Sequence, residues 1–569
     1  MKRLLPLILC LSLLCGCAQS APDNSLPTDQ SSIVTSLTPP VPYTSRFNSE
    51  TVIRLTDDAI TSEGEHAVLL SHDIVYYEDR DTYESGLPYG EGEAHERHSA
   101  AEAGAHTVVT ITEPGAYRIT GTLSAGQILV DLGEDAYADP NAVVELILDN
   151  ADITCTVAPA IVFLNVYECN GAWSADTASP TVDTSGAGAV LLLADGSQNR
   201  VTGSHVAKIY KDKEGEKKLW KQDGALYSYM SMNICGSGTL DLTADNEGIG
   251  SQLHLTINGG NINIRSQDDG INTNEDGVSV TTINGGNVHI IAGLGSEGDG
   301  IDSNGYLVIN GGTVISSANP ASDAGLDSDL GSYVNGGIVI ALGSTMDWAE
   351  SDCDQVTMNL QFAEYQSSSC AIVVTREDGA ILFAYDPGED EVLGENIRSY
   401  MGAVISCPNF KTDETYHVYM DGTLTGTDVG GVYLTETITG YADGVLQMYT
   451  GTDVGMGGPD GFGGQPPEGF AGTPGGGQMP DGGFTPPDSD AQIPEDGQFP
   501  GNGQSPGQPP ENGERPERPD GEMPQGGFGG QMPGDQAEQL IGNTKFHMSD
   551  KVNCFSGITA YTESQEAKK

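Results

Sequence analysis

Four copies of one short pattern restrict the possible folds of this chain more than any other feature. The pattern reads INGGNINI from Ile257, INGGNVHI from Ile283, INGGTVIS from Ile309 and VNGGIVIA from Val334. The copies start 26, 26 and 25 residues apart, a period that matches one coil of a three-sided parallel β-helix. The repeat therefore predicts an all-β chain built around a right-handed parallel β-helix.

Each of the first three copies is followed by a box of glycine and acidic residues. The boxes are DDGINTN at Asp268–Asn274, DGIDSN at Asp299–Asn304 and DAGLDSD at Asp323–Asp329. In a parallel β-helix, equivalent residues of neighbouring coils lie above one another at the strand spacing of about 4.8 Å. A box that recurs once per coil therefore predicts a column of carboxylates.

Such a column is electrostatically unfavourable by itself. Two unit charges at that spacing repel by about 0.9 kcal/mol in bulk water and by about 3.5 kcal/mol at an effective dielectric constant near 20. The column can point into solvent, raise some of its pKa values or hold cations. Ligands that are all oxygen favour calcium, so we expect bound Ca²⁺. The alternative is that Asp, Asn and Gly only satisfy the tight corners of the coils.

An internal ladder of apolar residues is expected beside the acidic boxes. The glycine in each box permits a tight turn, and the residue after it is predicted to point inward. With the weaker upstream boxes DGALYS and DNEGIGSQ included, the predicted ladder consists of Ala225, Ile249, Ile271, Ile301 and Leu326.

The first twenty residues, MKRLLPLILCLSLLCGCAQS, combine two basic residues, an apolar run and the ending LCGC. This ending looks like a bacterial lipobox, with Cys17 as the acylated first residue of the mature chain. A plain signal peptide or an uncleaved anchor is the alternative. No later apolar run is long enough to span a bilayer. We therefore expect a lipid-anchored protein on the extracellular face of the cell membrane.

The net charge of the chain limits the partners that it can bind. The chain has 81 acidic and 24 basic residues, so its formal charge is −57, which disfavours nucleic acid and anionic membranes. An acidic polysaccharide would also be repelled unless divalent ions bridged it to the protein.

The seven cysteines after Cys17 contain no CxxC pair and indicate no zinc site. Most are interpreted as buried small apolar residues, with Cys353–Cys370 as a possible disulfide.

Changes in composition divide the chain into six segments. Short alternating apolar runs indicate strands, whereas the Gly, Pro and Gln tract is too poor in aliphatic residues to fold. The predicted segments are a signal peptide at 1–17, a tether at 18–48, a parallel β-helix domain at 49–342, a C-terminal β module at 343–450, a disordered insert at 451–536, and a final strand with the C-terminus at 537–569.

Several segments together resemble a known protein family. They are the lipobox, GAYRITGTLSAGQILVDL, LILDNADIT, GSQNRVTG, the repeated INGG and DG[IL] boxes, and ISCPNF. In this order they resemble a family of bacterial surface carbohydrate-binding proteins, over about Val52–Tyr449 and the last strand. The resemblance implies that 49–342 is a carbohydrate-binding domain with a fold like that of pectate lyases. It also implies calcium binding, with cellulose or pectic polymers as partners.

The resemblance also implies a set of metal ligands. The calcium ligands of that family fall on acidic boxes of this kind, so they are carried over by position. The implied ligands are Asp268, Asp269, Asp299, Asp302, Asp323 and Asp327, with Asn272 as a lesser candidate.

The scarcity of basic residues in the repeat region favours a binding protein over a lyase. A calcium-dependent pectate lyase needs a lysine or arginine base, and Arg265 is the only such residue between Leu253 and Leu342. We therefore expect a non-catalytic polysaccharide-binding module, with Trp220, Trp348 and Arg265 as possible sugar contacts. Two alternatives stay open. One is a lyase using Arg265 or a lysine from Lys208–Lys221, and the other is a structural adhesin whose calcium rigidifies the fold.

Overall fold

The structure is a computed structural model that describes residues 41–77, 92, 95–170, 174–210, 218–344, 349–367, 370–390, 392, 398–453 and 542–562. Cys17, Trp348 and most of the predicted insert lie outside the described residues. For Trp220 only the backbone is described.

The described residues are almost entirely β-structure. Helices within them are limited to α1 (Ala100–Ala103) and 3₁₀ turns at Glu134–Ala138, Ala175–Thr177 and Pro387–Glu389. No helix in the described ranges has the length and hydropathy needed to cross a membrane. The expectation of an all-β chain is confirmed.

Three columns of strands paired in parallel form the central part of the molecule. Two long strands, β5 (Gly115–Leu123) and β7 (Val144–Thr154), contribute to both the first and the second column. The first column continues through β9 (Ala189–Leu193), β14 (Met232–Gly236), β17 (Leu255–Ile257), β20 (Val280–Ile283), β23 (Tyr306–Ile309) and β26 (Gly331–Val334). The second continues through β10 (Gln198–Gly203), β15 (Thr239–Ala244), β18 (Asn261–Ser266), β21 (Asn287–Ile291), β24 (Thr313–Ser317) and β27 (Ile338–Gly343).

The third column is a separate sheet that runs parallel from one coil to the next. It contains β4 (Thr107–Ile111), β6 (Gly126–Asp131), β8 (Ile161–Asn165), β13 (Gly224–Ser228), β16 (Glu247–Ser251), β19 (Ile271–Thr273), β22 (Ile301–Ser303) and β25 (Leu326–Ser328). The predicted parallel pairing is confirmed, whereas the right-handed β-helix stays a prediction.

The INGG repeats stack in register because of their asparagines and glycines. Ile257 pairs with Ile283, which pairs with Ile309 one coil later. From the second copy onward, the side-chain amide of each asparagine donates to the asparagine of the preceding copy, over 2.9, 2.9 and 3.0 Å. The second glycine has positive φ, and at Gly312 a Cβ would lie 2.5 Å from the Gly286 carbonyl oxygen. Glycine is therefore required where neighbouring coils approach closely.

The internal apolar ladder forms with one correction. Its members pair in register and are each at most 1% exposed, and they are Leu226, Ile249, Ile271, Ile301 and Leu326. The prediction of Ala225 was wrong by one residue. Because Gly224 pairs with Glu247, the first box is one residue out of step with the second.

Antiparallel pairing begins at both ends of the parallel stack. At the N-terminal end, β1 (Glu50–Leu55) pairs in parallel with β5 and antiparallel with β2 (Thr61–Glu63), while β3 (Leu69–Ser71) runs antiparallel to β4. At the C-terminal end, β27 pairs antiparallel with β31 (Tyr400–Ser406), which also pairs with β28 (Thr357–Gln366). Near the chain end, β38 (Val552–Ala560) pairs in parallel with β28.

Ten further strands complete the described structure. One antiparallel pair, β11 (Val206–Tyr210) and β12 (Lys218–Gln222), forms a separate two-stranded sheet, and Val206 and Ile209 of β11 are buried in the core of the stack. The others belong to the C-terminal β module, and they are β29 (Ile372–Arg376), β30 (Ile381–Tyr385), β32 (Thr415–Met420), β33 (Thr423–Val429), β34 (Val432–Ala442), β35 (Val445–Met448), β36 (Gly451–Asp453) and β37 (Phe546–His547).

The predicted disulfide between Cys353 and Cys370 is wrong. Both cysteines are free and buried. They belong to different hydrophobic cores, since Cys353 packs in the core of the parallel stack and Cys370 in that of the C-terminal module. Of the seven cysteines in the described residues, six are buried, as expected for small apolar side chains.

The last residues of the predicted tether contact the fold. The Glu145 carboxylate is fully buried and accepts hydrogen bonds from the Tyr43 hydroxyl (2.8 Å), the Ser45 hydroxyl (2.6 Å) and the Arg46 amide (2.8 Å). The Val41 amide donates to the Asn258 carbonyl oxygen over 2.7 Å. Residues 41–46 therefore form a strap across the outer side of the first column.

Truncation of the ladder should destabilise the stack. Ile271 is fully buried and pairs with Ile249 and Ile301. We expect Ile271→Ala to lower the free energy of unfolding by about 2–5 kcal/mol, because it removes buried methyl groups and leaves a cavity. Denaturant titration checks this, with the exposed Thr243→Ala in β15 as a control expected to change little. Equal losses in the two variants would disprove the ladder's role.

Candidate functional site

The third column brings predicted ligands to one register position. Asn272 pairs with Asp302, and Asp302 pairs with Asp327. These three residues follow the inward ladder residues directly, so their side chains point to the opposite, outer face of the sheet. Asn272 is 8% exposed, and both aspartates are half-buried. The column inferred from the boxes therefore exists at this position.

Two more predicted ligands connect successive coils. Asp269 Oδ1 accepts a hydrogen bond from the Asp299 amide over 2.7 Å, and Asp299 Oδ1 accepts one from the Ala324 amide over 2.6 Å. Asp269 Oδ2 also accepts from the Asn272 amide group over 3.2 Å. Each of the two carboxylates thus uses its Oδ1 to fix the next coil.

The remaining predicted ligands, Asp268 and Asp323, lie at the turns that lead into the third column. Asp323 Oδ2 accepts a hydrogen bond from the Gly298 amide over 2.8 Å. Burial raises the pKa of Asp268, and the nearby carboxylates of Glu297, Asp223 and Asp323 raise it further. The structure therefore places all seven predicted residues on the outer face of the third column or at the turns that lead into its strands.

Two acidic residues of this site are not among the ligands expected from the sequence. Asp223 is 6% exposed and Glu247 is 5% exposed. Glu247 Oε1 accepts a hydrogen bond from the Asn272 amide group over 3.1 Å, and the buried Glu247 Oε2 has no hydrogen bond within the described residues. Both residues occur in the weaker upstream boxes DGALYS and DNEGIGSQ, and these boxes are the sequence signal that identifies them.

A lysine side chain of the protein supplies a positive charge at the acidic column. The Lys221 ammonium forms a 2.5 Å ion pair with Asp223, and Glu247 also lies close enough to act on it. Burial lowers the pKa of Lys221, but the carboxylates of Asp223 and Glu247 outweigh this effect, so the pKa is raised overall. Lys221 therefore stays charged and neutralises the upstream end of the column.

Farther along the column the carboxylates resist ionisation. Burial, assisted by Asp268 and Asp302, raises the pKa of Asp269 to about 9. Burial also raises the pKa of Asp299 and of Asp302 to about 7, with further contributions from Asp327. At neutral pH the metal-free column therefore retains protons that a bound cation would displace.

The donor set has the chemistry of a hard-cation site, without a preformed cage. Carboxylate and amide oxygens suit Ca²⁺, and the buried Asn272 Oδ1, like Glu247 Oε2, has no hydrogen bond within the described residues. Across the described ranges, however, no group of three or more His, Cys, Asp or Glu side chains stands in a metal-binding arrangement. The donors are distributed along the column.

The other predicted contacts lie away from this column or outside the described residues. Arg265 Nη2 donates to the Val392 carbonyl oxygen over 2.6 Å, so it holds the C-terminal module to the stack. The side chain of Trp220 and the whole of Trp348 lie outside the described residues. Their predicted role as sugar contacts stays a prediction.

Comparisons with known proteins indicate carbohydrate binding. Residues 105–171 and 170–370 match a family described as carbohydrate-binding domain-containing protein. A protein of Acetivibrio thermocellus with the same description is 31% identical over 159 residues. This alignment covers 28% of the present chain and 45% of the relative, so the chain spans less than half of that protein's length. No solved structure matches. The similarity supports a carbohydrate-binding role for the region that contains the acidic column.

The raised pKa values predict how metal-free protein responds to pH. A carboxyl whose pKa rises on folding, from an ordinary 3.8 to about 7 at Asp302, loses its stabilising contribution as pH rises through that interval. In the presence of chelator, we expect Asp302→Asn to be more stable than the wild type at pH 8, by about 1–3 kcal/mol. The two proteins should be alike at pH 4. Thermal melts at both values measure this.

The exposed Asp58→Asn is the matched control for removal of one negative charge. It should melt like the wild type at both pH values. If Asp302→Asn gains no more stability at pH 8 than this control, the column does not carry the electrostatic strain described above.

Proposed function

We propose that this chain is a calcium-binding, non-catalytic polysaccharide-binding lipoprotein of the cell surface. The observation that carries the proposal is the register of Asn272, Asp302 and Asp327 on three successive strands. These oxygen donors lie inside residues 170–370, which match a carbohydrate-binding family.

The proposal includes the fold expected from the repeats. Three parallel strand columns joined once per coil are what a right-handed parallel β-helix of the pectate-lyase type requires. The direct pairing of Ile257, Ile283 and Ile309, the first residues of three INGG copies, supports this architecture.

Calcium would be held by the oxygens of the acidic column. Asp269, Asp299, Asp302 and Asp327 would supply carboxylate oxygens, and the orphan Asn272 Oδ1 would supply an amide oxygen. Ca²⁺ accepts about 6–8 oxygen ligands and tolerates irregular geometry, so donors spread over neighbouring coils fit it better than they fit Mg²⁺. Binding would neutralise carboxylates that burial otherwise protonates.

Calcium would also explain how a strongly acidic protein retains an acidic polymer. With a formal charge of −57, the protein repels polyuronates unless a divalent ion lies between them. Several weak ion-bridged contacts along one polymer would add up to firm retention. Pectic polymers are therefore the first proposed partner, and cellulose is the neutral alternative.

Two observations support binding over lyase chemistry. Arg265 Nη2 donates to the Val392 carbonyl oxygen, and its alternation with the buried Ile262 and Ile264 fits an ordinary strand residue. The pKa of Lys221 is raised by Asp223 and Glu247, whereas a lysine that removes a proton needs a lowered pKa. Neither residue has the environment expected of a catalytic base.

Attachment by lipid is proposed from the LCGC sequence ending at Cys17. Metabolic labelling with a radioactive fatty acid, compared between the wild type and Cys17→Ser, tests it. We expect label on the wild-type protein alone.

A retention assay tests the proposed function. Purified protein is mixed with polygalacturonate, cellulose or xylan, in calcium or in chelator, and both bound protein and unsaturated product absorbance are recorded. We expect calcium-dependent retention on polygalacturonate without product. In Asp302→Asn combined with Asp327→Asn, we expect affinity for that polymer to fall by about ten-fold or more, because two charged donors are lost.

Asp58→Asn is the control for charge alone and should be retained like the wild type. Accumulation of unsaturated product would show that the protein acts as a lyase and would disprove the non-catalytic function. No retention on any of the polymers in calcium would disprove polysaccharide binding, and equal retention in calcium and chelator would disprove the role of the ion.

A further inference from the structure

The first column carries an outward register position that continues over seven strands, from β7 to β26. Each residue of the series pairs with its neighbour in the next coil. The series is Glu145, Val190, Asn233, Thr256, Thr282, Val308 and Tyr333. It lies on a different sheet from the acidic column, which belongs to the third column.

The upstream part of this face is already occupied by an extended chain. In the strap, residues 41–46, the hydroxyl groups of Tyr43 and Ser45 donate hydrogen bonds to the Glu145 carboxylate. The strap's described end reaches the coil of β17, where the Val41 amide contacts Asn258. The face therefore accommodates an extended, hydroxyl-bearing chain, and carboxylate oxygens accept its hydroxyl hydrogens.

Downstream of the strap, two half-exposed tyrosines lie on neighbouring strands. Tyr306 is on β23 and Tyr333 is on β26, with ring centroids 6.1 Å apart and ring planes tilted by 56°. Such rings combine an apolar face with a polar tip, which suits contacts with a partly wet ligand.

A carboxylate lies beside these rings because glycine makes room for it. Gly331 pairs with Tyr306 in register, and a Cβ on Gly331 would lie 2.8 Å from Glu350 Oε1. The Glu350 amide is anchored to the Ser332 carbonyl oxygen over 2.8 Å. Burial, then Asp352 and Glu350, raises the pKa of Tyr333 to about 12, so its phenol remains a hydrogen-bond donor.

Other described aromatic pairs fit a ligand less well. The Tyr227–Tyr229 pair is tied into the interior, since Tyr227 is fully buried. The half-exposed Tyr419–Tyr441 pair belongs to the C-terminal module, outside the residues that match the carbohydrate-binding family. Tyr306 and Tyr333 are inside the matching region and half-exposed.

We propose that Tyr306, Tyr333 and Glu350 form a contact site for a neutral polysaccharide chain that lies along the stack. The ring faces would pack against the C–H faces of the sugars, and the Glu350 carboxylate would accept sugar hydroxyl hydrogens. One sugar unit is comparable in length to the strand spacing of about 4.8 Å, so successive units would meet successive coils. Glu350 and Asp352 would repel a uronate. The site rests on the proposed carbohydrate-binding function and is independent of calcium.

The test measures binding of cello-oligosaccharide and retention on cellulose in the presence of chelator. We expect Tyr306→Ala combined with Tyr333→Ala to weaken binding of the neutral ligand about ten-fold or more, as aromatic anchors do at interfaces. Calcium-dependent retention on polygalacturonate should be unchanged. Glu350→Gln should weaken neutral binding several-fold, because a charged acceptor becomes a neutral one.

Tyr365→Ala is the matched control, since Tyr365 is an exposed tyrosine of the C-terminal module, and it should bind like the wild type. If the double alanine variant melts below the wild type, Tyr333→Leu removes the flat ring but keeps apolar volume, and the same direction of loss is expected.

The outcomes separate this site from the function on which it rests. Wild-type protein that binds no polysaccharide at all would overturn both proposals. If the wild type is retained on polygalacturonate but not on cellulose, or if the folded tyrosine variants bind cellulose as well as the wild type, only the neutral-sugar site is overturned. Loss of cellulose binding in Tyr441→Ala instead would assign the contact to the C-terminal module and overturn the site as well.

Discussion

Parallel pairing of one coil on the next is the constraint on which the rest of this structure depends. It holds equivalent residues about 4.8 Å apart, so any property of the repeat is multiplied along the stack. On the inside this produces a continuous ladder that includes Ile249, Ile271 and Ile301. On the outside it aligns Asn272, Asp302 and Asp327. The same register that favours burial of isoleucine forces carboxylates together.

The repulsion between the stacked carboxylates is compensated in different ways along the column. At the upstream end, Lys221 supplies a built-in positive charge beside Asp223 and Glu247. In the middle, backbone amides donate to one oxygen of Asp269 and of Asp299. Raised pKa values show that these contacts do not suffice, because burial still disfavours the charged forms. A bound divalent ion would complete the compensation and provide a bridge to an acidic polymer.

The sequence predicted the repeating parts of the fold in more detail than the contacts between residues that are distant in the chain. The near-constant spacing of the INGG copies, with an acidic box after each of the first three, predicted parallel stacking and a column of carboxylates, and Asp302 does align with Asp327. Ala225 was misplaced because the first box is offset by one residue. The Cys353–Cys370 pairing failed because nearness in sequence does not reveal that the two cysteines pack in separate cores. The role of Glu145 depends on contacts about 100 residues apart, which no local pattern encodes.

We propose that the stacked carboxylates share a cation that displaces their protons. Titration calorimetry of calcium into metal-free protein near pH 7, repeated in two buffers of different ionisation enthalpy, counts the protons released. We expect calcium to bind with net release of protons, and we expect Asp302→Asn to release fewer protons than the wild type. The absence of calcium binding, or binding without any proton release, would contradict this proposal.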